Sequence, residues 1–371
     1  MDTHSDIIVV GGGLAGLVSA YLLAKGNQSV ILIEKKQYPF HRVCGEYISN
    51  EARNFLEQEK LLPSGMDLPS ISKFEFSDTA GRSAEIPLDL GGFGISRYAL
   101  DEHMYHRALE VGVDVRQGIQ VEDVVFDEVA DQFQITLSDH QELTSKHVLG
   151  TFGKRSKLDK ALDRDFIKKR SPFLGVKYHI KTDLPRDLVA LHNFSGGYCG
   201  VNAVEDERFN LCYLGSRDQL RDAGSIPAME QQFLWKNPKL KWIFQESEFL
   251  FEKPEVINEI NFDPKAPVEG HILMAGDAAG LITPLCGNGM AIAIQSGKLA
   301  AEAILEGGGR KKIEVNYATR WTELFRRRLW IGRKVQWLFG SPKTSAFTRR
   351  LISNVPLAAD QIIRNTHGQP F

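Results

Sequence analysis

The chain has 371 residues, 43% hydrophobic and 25% charged, with a formal net charge of −2. That length supports a large core and two closely connected domains, and the charge excludes a generally basic nucleic-acid binder, so no nucleic-acid partner is expected. Four cysteines, Cys44, Cys199, Cys212 and Cys286, show neither a CxxC pair nor a metal-ligand spacing, which predicts free thiols, no metal and a reduced, cytoplasmic setting. No run reaches the roughly 18 apolar residues of a membrane span, and the polar start Met1 to Asp6 predicts no signal peptide.

In chain order, Ile7 to Val10 make a short apolar strand, Gly11, Gly13 and Gly16 follow at the G-x-G-x-x-G spacing, and Leu14 to Lys25 reads as a helix. The first glycine allows a tight turn, the second lets backbone approach phosphate, and the third lets helix and strand pack closely. Gly11, Gly13, Leu14, Ala15 and Gly16 would therefore hold a pyrophosphate on the helix N-terminus. A second strand, Val30 to Ile33, ends in Glu34, whose carboxylate suits ribose hydroxyls; Lys35 beside it is assigned to the same site. Lys35 to Tyr47 is a polar, irregular loop, and Asn50 to Lys60 returns to helical spacing. Ile71 to Phe76 and Arg82 to Ile86 alternate as strands, Gly91-Gly92-Phe93-Gly94 breaks the pattern, and Tyr98 to Val111 reads as a helix. Short strands follow over 113–115, 121–126, 133–137 and 147–149, the second opening on Val121, a further cofactor candidate.

From Phe173 the strands lengthen: Leu174 to Ile180, Val189 to Phe194, Tyr198 to Val204 and Phe209 to Leu214, with Glu205-Asp206-Glu207 as a hairpin turn. His271 to Ala275 is a buried strand leading into Gly276-Asp277-Ala278-Ala279-Gly280, and Gly287 to Leu305 is a long helix rich in small residues. Two glycine-rich segments about 260 residues apart together indicate a bound FAD. The predicted fold is α/β: a Rossmann-type, glutathione-reductase-like FAD-binding domain over 1–156 and 265–309 with a small β insertion near 70–96. An inserted antiparallel β-sheet substrate domain over 157–264 and basic C-terminal helices over 310–371 complete it.

The run Gly276-Asp277-Ala278-Ala279-Gly280, then Pro284, then Gly287-Asn288-Gly289-Met290 resembles the second flavin motif of the p-hydroxybenzoate hydroxylase and geranylgeranyl reductase superfamily. The resemblance implies that Gly276 and Asp277 bind the ribityl chain and that Pro284 to Met290 approach the flavin ring, where helix amides stabilise anionic reduced flavin. Arg97 to Asp101 is similar to the family's R-x-x-x-D helix start, whose arginine reaches FAD, and Arg42 sits similarly in the loop after Glu34. Gly150 to Ser156 aligns with the G-A-D-G-x-x-S motif of aromatic hydroxylases, but Phe152 replaces the aspartate. Cys44-Gly45-Glu46 resembles the Cys-Gly stretch of geranylgeranyl reductases beside the isoalloxazine, making Cys44 a proton donor or redox gate and Glu46 a proton relay. Gly196 to Ala203 corresponds to the strand over the flavin face, with Tyr198 a substrate contact and Gly200, Asn202 and Ala203 replacing bulkier residues. Cys199 and Cys212 fall on facing strands. Cys286 reads as packing near the flavin.

The activity this implies is reduction of C=C bonds in a large apolar, isoprenoid or polyketide-like substrate, by hydride from N5 of reduced flavin. A monooxygenase acting on an aromatic or polyketide-like substrate shares the same frame, whereas no Trp-x-Trp pair supports a halogenase. A reading of another class is a flavin-binding protein that docks a membrane or partner with little catalysis. With no second GxGxxG unit, NAD(P)H or a ferredoxin-like donor would act as a transient reductant. Residues 310 to 350 carry twelve Lys or Arg against Glu314 and Glu323. Trp321, Leu324, Phe325, Gly332, Val335 and Phe339 share one helical face and Arg326, Trp330, Arg333 and Trp337 the opposite one, a pattern suited to a membrane's inner surface or to an acidic partner. Neither the substrate nor the oligomeric state is legible.

Overall fold

A computed structural model describes residues 3–282, 288–336, 339–355 and 367–371. The segments around Pro284, Cys286, Gly287, Trp337 and Pro356 lie outside the described residues.

The first strand, His4–Val10, carries the buried apolar run Ile7 to Val10, and it pairs in parallel with Val30–Glu34 and Glu142–Gly150. Asp114–Gln117 extends the sheet on one side and Ile272–Met274 on the other, again in parallel. The late glycine motif therefore follows a strand one position from the first glycine motif's sheet partner. Gln132–Leu137 and Val121–Asp127 continue from Glu142–Gly150 as an antiparallel ribbon. Helices Leu14–Lys25 and Gly289–Leu305 pack closely: a Cβ on Gly297 would lie 2.4 Å from the Ala15 carbonyl oxygen, so only glycine fits.

The second sheet is mainly antiparallel. Phe173–Lys181, Phe209–Ser216, Gly197–Ala203 and Leu188–Phe194 run side by side in that spatial order, and Asp206 and Glu207 turn the hairpin with positive φ. Two features differ from the sequence reading. Ser70–Ser77 and Ser83–Gly94 belong to this sheet, the former pairing in parallel with Leu188–Phe194. The Gly91-Gly92-Phe93-Gly94 run extends the strand instead of breaking it. Gly92 pairs with Ser49, and a Cβ on Gly94 would lie 1.8 Å from the Ala203 carbonyl oxygen, so the glycines serve close strand contact. Three helices unread in the sequence, Arg217–Ala223, Ile226–Phe233 and Pro238–Glu246, cover one face, the last two starting with Pro at the first turn.

The C-terminal region forms Arg310–Val335 and Pro342–Asn354. Trp321, Phe325 and Gly332 are buried, but Leu324, expected on the same face, is exposed. The buried stripe instead takes in Ile313, Tyr317 and Leu329, and Arg328, which pairs with the fully buried Glu51 at 2.9 Å. Among the described residues no helix is long and apolar enough to cross a membrane.

Candidate functional site

One cavity of about 920 Å³ runs from the first glycine loop to the C-terminal helices. Gly11 opens it with φ +105°, and its Cβ would sit 2.6 Å from the Thr151 carbonyl oxygen; a Cβ on Gly16 would sit 2.0 Å from that of Gly11. Around Gly13 the space is different: the nearest atom to a Cβ there is Arg97 Nη2 at 3.7 Å. Gly13 caps Leu14–Lys25 through backbone alone, with no side-chain cap and no acid in the first turn. Gly13, Leu14 and Ala15 all line the cavity. A helix N-terminus with open space and a neighbouring guanidinium is a cradle for pyrophosphate.

Glu34 is buried at the end of its strand, where Oε2 accepts from Gly12 N at 2.9 Å and Arg42 Nη2 at 3.0 Å, and Oε1 accepts from Lys36 N at 3.0 Å. Arg42 also donates to Asp101 Oδ2 at 3.0 Å, while Arg97 grips both Asp101 oxygens at 2.7 Å. Burial works against the Arg97 charge, but Asp101 outweighs it and holds its pKa above the ordinary arginine value. Asp101 and Tyr38, whose hydroxyl donates to the Gly12 carbonyl at 2.5 Å, were not assigned from sequence. The R-x-x-x-D spacing was the available signal for Asp101. Lys35 and Val121 line the same end of the cavity.

At the next stretch Gly276 takes φ +61° and donates to Ser296 Oγ at 2.8 Å, presenting Asp277 in a single 3₁₀ turn. Lys265 donates to the Asp277 carbonyl at 2.8 Å and the Lys154 carbonyl at 3.0 Å, and burial brings its pKa down to about 8. Asn288 caps Gly289–Leu305, and Gly289 and Met290 line the cavity. Pro284 and Gly287 are outside the described residues. Gly11 to Gly16, Glu34, Arg42, Arg97, Asp277, Gly289 and Met290 thus converge on one elongated space, a donor and acceptor set that fits FAD.

Cys44 and Gly45 lie on the wall between this end and an apolar chamber. Cys44 is half-buried and unoxidised. Glu46 differs from its expected role. It is fully buried at φ +51°, with Oε1 accepting from Lys177 Nζ at 2.5 Å and Arg97 N at 2.7 Å, and Oε2 2.6 Å from His179 Nε2. Burial would raise its pKa, but Lys177 and His179 reverse that and bring it down to about 2. Held by Lys177, His179 and the Arg97 amide, the carboxylate anchors the loop to the second sheet. Asn210 Nδ2 bonds the Gly45 carbonyl at 2.9 Å and Asn202 Nδ2 the Glu46 carbonyl at 3.3 Å, so the second sheet fixes the whole segment.

Sequence reasoning missed Lys177 and His179, although a Lys and a His two apart in an apolar strand mark one buried polar patch. It also missed His41, which lines the cavity with its ring 5.1 Å from that of His179. Burial, then the charges of Lys177 and His179, bring His41 down to about 4, so it is neutral at pH 7. Tyr198 is buried on the chamber wall with its ring 5.4 Å from Phe339. Cys199 and Cys212 do sit on adjacent strands, but Cys199 registers with Tyr213 and Cys212 with Gly200, which puts their side chains on opposite faces. Cys212 lines the cavity, where burial pushes its thiol up to about 12. The chamber is otherwise apolar, built from Phe76, Ile86, Leu191, Leu214, Ile260 and Ile352.

Residues 4–309 match the FAD binding domain family, and the chain belongs to it. Digeranylgeranylglycerophospholipid reductase 1 of Methanopyrus kandleri is 26% identical over 366 residues, covering 89% of each chain. Conditioned medium factor receptor 1 of Dictyostelium discoideum is 23% identical over 341 residues, covering 81% of this chain and only 63% of that longer relative. The fold is shared with a geranylgeranyl bacteriochlorophyll reductase-like protein of Thermoplasma acidophilum, at TM-score 0.77 and 18% identity, over 98% of this chain and 95% of that one. It is shared equally with a flavin-dependent brominase, at TM-score 0.75 and 20% identity, over 98% and 93%. The chain is therefore an FAD-dependent oxidoreductase by family, and its fold alone does not select the reaction.

Proposed function

We propose that the protein reduces C=C bonds of a large apolar, isoprenoid-like substrate. The observation that carries this reading is the apolar chamber continuous with the FAD cradle, with Cys44 at the junction. The relative named a digeranylgeranylglycerophospholipid reductase and Phe152 in place of the hydroxylase aspartate support it.

Bound and reduced, FAD supplies hydride from N5. The chain's own residues would bind and orient: Gly13 to Ala15 with Arg97 would hold the pyrophosphate, Glu34 the ribose, Asp277 the ribityl hydroxyls, and the N-terminus of Gly289–Leu305 the flavin. Leu191, Leu214 and Ile260 would exclude water and line the substrate's apolar chain, with Tyr198 on the same wall. The Cys44 thiol would donate a proton to the substrate carbon that does not take the hydride, and the thiolate left would be reprotonated from solvent. The electrons would come from NAD(P)H or a ferredoxin-like donor.

The competing reading is a monooxygenase, because the same frame underlies oxygen-dependent flavoproteins. Product mass separates them: incubation of reduced protein with a geranylgeranyl lipid under anaerobic conditions should add two hydrogens. A product that appears only with oxygen and gains one oxygen atom would reverse the assignment. Replacement of Cys44 by Ser should slow turnover while FAD is retained; unchanged turnover removes the thiol from the reaction.

A further inference from the structure

Between Leu324 and Val355 the chain has eight Lys or Arg residues and no Asp or Glu. Some of that charge is satisfied internally: Arg328 pairs with Glu51 and Arg349 with Asp78, and burial lowers the pKa of Arg333 against the pull of Asp263. Arg326, Lys334, Lys343 and Arg350 are exposed and form no ion pair among the described residues. Each of the two helices places an exposed aromatic among them. Trp330, 55% exposed, lies four residues from both Arg326 and Lys334, whose Nζ is 5.8 Å from its ring; Phe347, 60% exposed, lies four residues after Lys343 and three before Arg350. The inward side of the same segment walls the apolar chamber through Val335, Phe339, Leu351 and Ile352.

We infer that this outer face docks on an anionic lipid surface, with Trp330 and Phe347 inserted at headgroup depth and the four free cations on the phosphates, so that the chamber receives its substrate from the bilayer. This deepens the reading of the chamber as an isoprenoid site and rests on it. The cations alone would equally attract an acidic electron-donor protein. The lipid is favoured by the aromatic set within each cation group and by the position of both groups outside the chamber's apolar wall. Each cation near an anionic surface contributes a roughly fivefold gain in affinity.

Flotation of the FAD-loaded chain with phosphatidylglycerol–phosphatidylcholine vesicles tests the inference. The protein should float with these vesicles and not with phosphatidylcholine alone, and high salt should weaken the binding. The Trp330→Glu/Phe347→Glu variant should bind at least about tenfold more weakly. Arg326→Gln/Lys343→Gln/Arg350→Gln should lose roughly fivefold per cation, and both variants should keep their flavin absorbance. Failure to float at low salt, flotation of both variants at wild-type level, or binding to an acidic protein without binding to vesicles would overturn it. Flotation needs neither substrate nor turnover, so its failure is distinguishable from failure of the reductase assignment.

Discussion

The end of the cavity that fits FAD and the apolar end proposed to take substrate are built by opposite means. The first is polar and made of short contiguous motifs: Gly11 to Gly16, Glu34, Arg97 to Asp101 and Gly276-Asp277, each fixed by hydrogen bonds a strand or turn away. The second is apolar and assembled from side chains far apart in sequence, Phe76, Leu191, Leu214, Ile260 and Ile352, with no motif at all. Phosphate and ribose demand donors at fixed positions, which only particular residue types at particular spacings provide. A lipid chain demands volume and dryness, which many sequences provide. The two ends are joined at Glu46, a residue of the cofactor-side loop held by Lys177 and His179 of the second sheet.

Breaking that joint gives the largest expected effect. Lys177→Met leaves the buried Glu46 carboxylate without its cation and should destabilise the protein by about 3–5 kcal/mol in urea unfolding, whereas replacing both partners by apolar residues should recover much of the loss. A double variant no more stable than Lys177→Met would show that the pair does not act as a unit. At the cofactor end, Gly16→Ala forces a methyl against the Gly11 carbonyl and should weaken FAD retention by about 1–3 kcal/mol, read from the flavin released on dialysis. Full retention would mean the turn relaxes and does not need glycine.

At the substrate end, Leu191→Trp should fill part of the chamber. It should lower affinity for long apolar ligands by about tenfold, the loss of two or so buried methylenes, and leave FAD content unchanged. Equal loss of FAD would dissolve the distinction between the ends. The remaining expectations concern pH dependence. Glu46 has a folded pKa depressed to about 2, so its contribution is present above the unfolded value of 4.5 and lost as pH falls toward 2. Glu230, on the far face of the second sheet, is raised to about 7 by burial, with Tyr178 and Tyr213 donating to it and opposing the rise. The folded state therefore binds a proton more tightly there, and stability falls as pH rises from 4.5 to 7. Glu230→Gln should flatten that fall in thermal melts at several pH values; an unaltered slope would show that Glu230 is not its source.

How far each end could be read in the sequence follows from the same contrast. Gly13, Glu34, Arg97 and Asp277 were legible because spacing alone constrains them, and the structure brings them to one cavity. The long strands of the second sheet were legible from alternation. The Glu46 anchor was not, because Lys177 and His179 lie 131 and 133 residues away and only the sheet brings them to the loop. The sheet to which strands 70–94 belong was not legible, because alternation defines a strand without naming its partner. Leu324 was placed on the buried face because helical periodicity shows which residues align, and packing against Gly280 and its neighbours decides which of them are covered.

The central claim is that the apolar chamber presents a double bond to reduced FAD. Mixing the anaerobically reduced protein with a geranylgeranyl lipid in a single turnover tests it most directly. The account predicts that the flavin reoxidises without oxygen at the rate at which a product two hydrogens heavier appears. Flavin that stays reduced until oxygen is admitted, with one oxygen atom gained by the product, would contradict it.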